Sequence, residues 1–146
     1  MAREMRISGA QLAQAYEQER TKMEAIINRL NQINNLRMQV MGAVEAVKAV
    51  ESAEPGTKIK VSLGAGAYID ATIDKNREID MSLAGNVMKP TAVGKAKAEL
   101  EKRLAELDTA MAREQKQRET SALNLNQLAR AIETIQRDSQ ARAARQ

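Results

Sequence analysis

The sequence predicts an α+β protein: a long antiparallel coiled-coil hairpin of helices, with a small sheet of two β-hairpins inserted between them. Three observations predict it. Apolar and polar residues alternate strictly from residue 57 to 89, the period of strands with one covered face and one wet face. Apolar residues at heptad spacing flank that stretch on both sides, which argues for helices paired along a seam. The 146 residues include two tyrosines and no Phe or Trp, so thin helical packing suits the chain better than a thick core built on aromatic rings.

The first helix is expected over residues 8–51. Ser8 with Gln11 three residues later makes a capping-box pattern at its start. Apolar residues then recur at steps of three and four: Leu12, Tyr16, Met23, Ile26, Leu30, Ile33, Val40, Val44 and Val47, with Glu19 and Arg37 as the polar exceptions. The helix must stop before Pro55-Gly56, because proline removes a donor and clashes with the preceding turn.

The strands follow over 57–89. Ile59, Val61, Leu63, Ala67, Ile69, Ala71, Ile73, Ile79, Met81, Leu83 and Val87 form the apolar series. Gly64-Ala65-Gly66, Lys75-Asn76 and Gly85-Asn86 break it into four short strands joined by tight turns.

The second helix is expected over 91–138, with Thr91 after Pro90 as its N-cap. Its core series is Val93, Leu100, Leu104, Leu107, Met111, Leu125, Leu128, Ile132 and Ile135. Lys97, Glu114, Arg118 and Ser121 fall in the same register, so the middle of the seam is polar. In an antiparallel pairing Arg118 lies near Glu24, and Arg37 near Glu106. Residues 141–146 carry no core pattern and are expected to fray. Both helices attach to the strand region, so they leave it in the same direction and both chain ends meet at the far end, about 70 Å away at the helical rise.

A small apolar sheet face with open edges is an association site. Ile59, Val61, Leu63, Ile69, Ile73, Ile79, Met81, Leu83 and Val87 are therefore the candidate oligomerisation residues. The alternative is that the base of the helical hairpin folds over the sheet and covers it within one chain.

The residue types exclude most catalysis. There is no His and no Cys, which removes the commonest general base, the usual zinc ligands, the reactive thiol and any disulfide. Asp70, Asp74 and Asp80 read as a solvated strand face rather than a cation site. Gly64-Ala65-Gly66 lacks the third glycine of a dinucleotide loop, since Ile69 stands there. Gly94-Lys95 lacks the leading glycine and the hydroxyl of a phosphate loop, with Lys89 and Ala96 in their places. No enzyme, no cofactor and no metal are expected.

The net charge of +4 does not make a nucleic-acid stripe. Residues 1–51 hold 7 basic and 6 acidic groups, 52–90 hold 5 and 5, and 91–146 hold 11 and 8. With so few aromatics there is also no platform for base stacking. No apolar run reaches the roughly 18 residues of a membrane span, and the N-terminus lacks the apolar core of a signal peptide. A cytoplasmic protein with neither nucleic-acid nor membrane contact is expected.

The order helix, two β-hairpins, helix, with Val61-Ser62-Leu63-Gly64-Ala65-Gly66-Ala67-Tyr68-Ile69 closing the first hairpin and Ile79-Asp80-Met81-Ser82-Leu83 entering the second, resembles an α-class prefoldin subunit. The resemblance runs from about Ser8 to Ile135 and makes residues 1–146 a single prefoldin-like subunit. It implies an ATP-independent molecular chaperone that assembles through its hairpins with β-class prefoldin subunits or with copies of itself. It further implies that coiled-coil tips hold unfolded client proteins for delivery to a group II chaperonin. The second hairpin departs from the family pattern, reading Leu83-Ala84-Gly85-Asn86-Val87 where a Gly-Ala-Gly usually recurs, and this bears on the partner set.

The apolar residues at the ends are the candidate client contacts: Met5, Ile7, Leu12 and Tyr16 from the first helix, with Leu128, Ile132 and Ile135 from the second. Methionine suits such an adaptable surface. The rival readings are a structural, filament-forming coiled-coil protein and an adaptor for one partner, neither of which holds clients broadly.

Overall fold

A computed structural model describes residues 8–75 and 78–145. The element order is α1 (Gly9–Ser52), β1 (Lys58–Gly64), β2 (Ala67–Thr72), β3 (Glu78–Ala84), β4 (Val87–Ala92) and α2 (Val93–Ala143). This is the expected succession of two long helices with two antiparallel hairpins between them.

The capping box closes the start of α1. The Ser8 amide donates to Gln11 Oε1 at 2.8 Å, and the Gln11 amide donates back to Ser8 Oγ at 3.3 Å, so orphan donors of the first turn find partners. Past Ser52 the chain turns through Gly56, whose φ is +87°. The Gly56 amide donates to the Ile73 carbonyl at 2.8 Å, and the Ile73 amide to the Thr57 carbonyl at 3.0 Å. The exit of α1 is thereby tied to the end of β2.

The strands make two separate two-stranded sheets, β1 with β2 and β3 with β4, and do not join into one sheet of four. The two hairpins are nevertheless copies of one plan at an offset of 20 residues. Lys58↔Thr72 is matched by Glu78↔Ala92, Val61↔Ile69 by Met81↔Lys89, and Gly64↔Ala67 by Ala84↔Val87. Each has a register shift in the same place, between Ser62 and Gly64 and between Ser82 and Ala84, so Leu63 and Leu83 are the extra residues of two bulges. The first loop holds Ala65 at φ +51° and Gly66 at φ +80°, as in a type I′ turn. Ala65 meets a conformation that costs a residue with a Cβ about 1–2 kcal/mol.

Two boundaries differ from expectation. Thr91 does not cap α2; it is the last but one residue of β4, it is buried, and its hydroxyl donates to the Lys89 carbonyl at 3.1 Å. The strand pairing with Ile79 holds it extended, and the helix starts only at Val93. At the other end α2 runs on to Ala143, past residue 138. Backbone propensity of the Ala- and Arg-rich segment extends it where no core pattern remains.

The chain divides into two compact units. One comprises residues 35–108, the other residues 1–34 with 109–146. In the first unit Val44, Val47, Met81, Val93, Ala96 and Leu100 form a buried cluster, with Val40, Ala43, Val50 and Ile79 packed against it. Lys97 pairs with Glu51 at 2.7 Å, and Arg37 pairs with Asp108 rather than with Glu106.

In the second unit Ile26 is fully buried, and Leu12, Tyr16, Met23, Leu30, Ile33, Met111, Leu125, Leu128, Ile132 and Ile135 are half-buried. Glu114 is buried at the seam and paired with Arg29 at 2.9 Å. Arg118 is exposed, and Glu24 pairs with its own helix neighbour Arg20 at 3.8 Å. A guanidinium without a buried partner keeps its water by turning outward, whereas the small Ser121 at the next seam position is fully buried.

Candidate functional site

The first hairpin places an apolar face in the open. Val61 stands directly opposite Ile69 and Ile59 opposite Ala71, so all four share one face of β1 and β2. Val61, Leu63 and Ile69 are exposed, as are Leu83 and Val87 of the second hairpin; Ile59 is at the margin and Ile73 is half-buried. The opposite face of the first hairpin carries the pair of Lys60 and Asp70 at 2.8 Å. An isolated two-stranded hairpin is marginal in water, and both edges of each hairpin lack a strand neighbour among the described residues.

Two of the predicted assembly residues stand elsewhere. Met81 is buried in the cluster with Val44, Val47, Val93 and Leu100, and Ile79 packs against the same cluster. Both face their own chain, because β3 pairs with β4, whose Thr91 opposite Ile79 leads straight into α2. At these two positions the alternative of a covering by the chain's own helices holds, while Leu83 and Val87 of the same hairpin stay exposed.

Sequence reasoning missed Tyr68 and Met88. They are equivalent under the offset of 20, lie opposite Ser62 and Ser82, and are exposed on the face away from the alternating series. The signal was present for Tyr68, which interrupts the polar row of Asp70 and Thr72 with Lys58, Lys60 and Ser62 opposite.

The candidate client residues Leu12, Tyr16, Leu128, Ile132 and Ile135 are brought together in one unit and are half-buried there. Gly9 lies so near Ile135 that a Cβ on it would meet Ile135 Cγ2 at 3.8 Å. Met5 and Ile7 lie outside the described residues.

A polar layer interrupts this apolar seam. Asn124 Nδ2 donates to Glu19 Oε1 at 3.4 Å, and Lys22 lies 3.6 Å from the same carboxylate. The Glu19 carboxyl is held below its usual range, first by the Ser121 hydroxyl, then by Asn124 and Lys22, with its own burial acting the other way. The Ser121 hydroxyl is buried yet meets no partner at full hydrogen-bond geometry among the described residues. The Glu19 carboxylate is its nearest acceptor, so the layer is held by long polar contacts in place of apolar packing, which makes it the weak layer of the seam.

No group of three or more acidic, His or Cys residues able to hold a metal ion exists among the described residues. Asp70 is engaged by Lys60, and the Asp74 carboxylate accepts the Lys75 amide at 2.6 Å. No described helix is long and apolar enough to cross a membrane.

The family model described as prefoldin subunit matches residues 16–144, nearly the whole chain. The chain belongs to the prefoldin family. Among solved structures, the prefoldin fold is found again in a filamentous PFD from Methanocaldococcus jannaschii, with a TM-score of 0.64 and 13% identity over 84% of this chain and 98% of that one. The prefoldin β subunit from Thermococcus strain KS-1 is similar with a TM-score of 0.56 and 13% identity, over 87% of this chain and 90% of that one. No curated protein sequence matches the chain. Prefoldin subunits are non-catalytic chaperone-type subunits that form oligomers with one another.

Proposed function

We propose that this chain is an α-class prefoldin subunit acting as an ATP-independent holding chaperone. It assembles through its β-hairpins with β-class subunits or copies of itself, holds unfolded polypeptide on the apolar residues of the paired helix ends, and passes it to a group II chaperonin in the cytoplasm. The observation that carries this reading is the uncovered apolar face of the first hairpin, Val61, Ile69 and Leu63, within a prefoldin-family chain. The two hairpins support α-class membership. The half-buried row of Leu12, Tyr16, Leu128, Ile132 and Ile135 next to a weak polar layer supports ends that open to a client.

Changing Val61 and Ile69 together to Asp tests assembly. Charge on that face should reduce the sedimenting mass to monomers or dimers while the helical circular dichroism persists. An unchanged mass would move the interface away from the first hairpin.

A second reading is a structural protein whose hairpins polymerise without client holding. The likeness to the filamentous PFD favours it. It predicts assembly with no suppression of client aggregation, whereas the holding reading predicts both.

A further inference from the structure

The unit built from residues 1–34 and 109–146 holds 12 basic and 8 acidic groups, and the unit of residues 35–108 holds 11 of each. All of the net charge of +4 therefore belongs to the unit that contains the helix ends. Part of this excess converges. Arg113, Lys116, Gln117 and Thr120 lie at three- and four-residue spacing on one flank of α2. With Lys22 of α1 they line an open groove of about 430 Å³ that has no acidic residue in its wall.

Glu19 and Glu114 are engaged elsewhere, and Glu119, three residues from Lys116, makes no ion pair with it among the described residues. Glu19 accepts from Asn124 and pairs with Lys22, and Glu114 is buried against Arg29. Neither Arg113 nor Lys116 makes an ion pair among the described residues. The guanidinium fork of Arg113 matches a carboxylate in a two-pronged geometry, Lys116 adds a mobile point charge, and the Gln117 amide adds neutral donors. The methylene stems of the three cationic side chains give the groove an apolar floor that tolerates many peptide sequences.

We propose that this groove binds acidic stretches of unfolded polypeptide, giving the protein a charge preference among its clients. The occupant rests on the client-holding reading. Nucleic acid fits less well: three cations are few against the six to ten phosphate contacts of a typical binder, and the groove has no aromatic side chain for a base to stack on.

The test uses the assembled full-length protein and a fluorescein-labelled polyglutamate peptide, followed by fluorescence anisotropy at low and high salt. The double variant Arg113→Glu with Lys116→Glu should bind the peptide about tenfold more weakly, with most of the salt dependence gone. Lys95→Glu with Lys102→Glu makes the same change of net charge in the other unit and should leave binding as it was. Equal loss in both variants would show attraction by net charge alone and overturn the groove, as would no loss in either. Tighter binding of a labelled single-stranded oligonucleotide, lost in the same groove variant, would overturn the polypeptide assignment. Suppression of aggregation of a client poor in acidic residues is measured in parallel. If wild-type holding fails there while polyglutamate binding stands, the holding reading falls and the groove does not.

Discussion

The two hairpins share register, bulge and length at an offset of 20 residues, yet they live in different surroundings. Val61 is 41% exposed, and its counterpart Met81 is 8% exposed. At the bulges the difference vanishes: Leu63 and Leu83 are 66% and 64% exposed. The second hairpin runs straight into α2 through Thr91 and Ala92, so its inner face lands on Val44, Val47 and Val93. The first is separated from α1 by residues 53–57 and tied there by backbone bonds between Gly56, Thr57 and Ile73. The same local plan thus does two jobs. One copy completes the core of its own chain, and the other leaves its apolar face in the open, where the proposed assembly would use it.

The sharpest way to break this comparison is to place the same charge at the two equivalent positions. Met81→Asp would bury an unpaired carboxylate in the cluster, and thermal or urea unfolding should show a loss of several kcal/mol or outright failure to fold. Val61→Asp alone should leave monomer stability within about 0.5 kcal/mol, since that side chain already meets water. Equal losses at both positions would mean that the first hairpin is covered within its own chain after all.

The turns give a smaller contrast. Ala65 and Gly85 are equivalent and adopt nearly the same φ, +51° and +57°. Gly85→Ala should cost about 1 kcal/mol, because only glycine adopts that conformation freely. Ala65→Gly should be neutral or stabilising, and denaturant midpoints of the two variants provide the check.

The smallest effect concerns the ion pair that joins the end of α1 to the start of α2. The Lys97 ammonium is raised above its ordinary value, first through its hydrogen bond to Glu51 and then through the charge of that carboxylate. A folded-state value above the unfolded one gives stability that is fully present below the ordinary lysine value and lost as pH rises through the folded one. A pH series of melting temperatures should thus show a slight alkaline decline that Lys97→Gln flattens. As both side chains are partly exposed, the decline should be slight and reduced by salt.

Much of this architecture was legible in local patterns. The Ser8–Gln11 capping box, the four strands and both turns could be read because each rests on residues close in sequence. The errors came where a distant element decided. Strict alternation marks Val61 and Met81 alike, and nothing local says that helices cover only one of them. Thr91 after Pro90 reads as a cap, but its pairing with Ile79 keeps it in a strand. Arg118 fits the heptad count, yet α1 offers it no buried partner and it turns to water. Of the candidate site, the exposed face of the first hairpin was visible as alternation. The basic groove was not, because Lys22 and Arg113 are 91 residues apart and meet only when the helices pair.

The proposed function divides the labour: hairpins would assemble the protein, and the unit containing the helix ends would hold clients. Removal of residues 1–11 and 136–146 tests this most directly, with assembly mass and suppression of a thermally unfolding client's aggregation measured on the same preparation. The account predicts an unchanged number of subunits, preserved helical signal and a sharp fall in suppression, since Met5 and Ile7 are lost and the support around Leu12 and Ile135 is loosened. Full suppression by the shortened assembly would contradict it and place the client surface on the helix flanks or on the hairpins themselves.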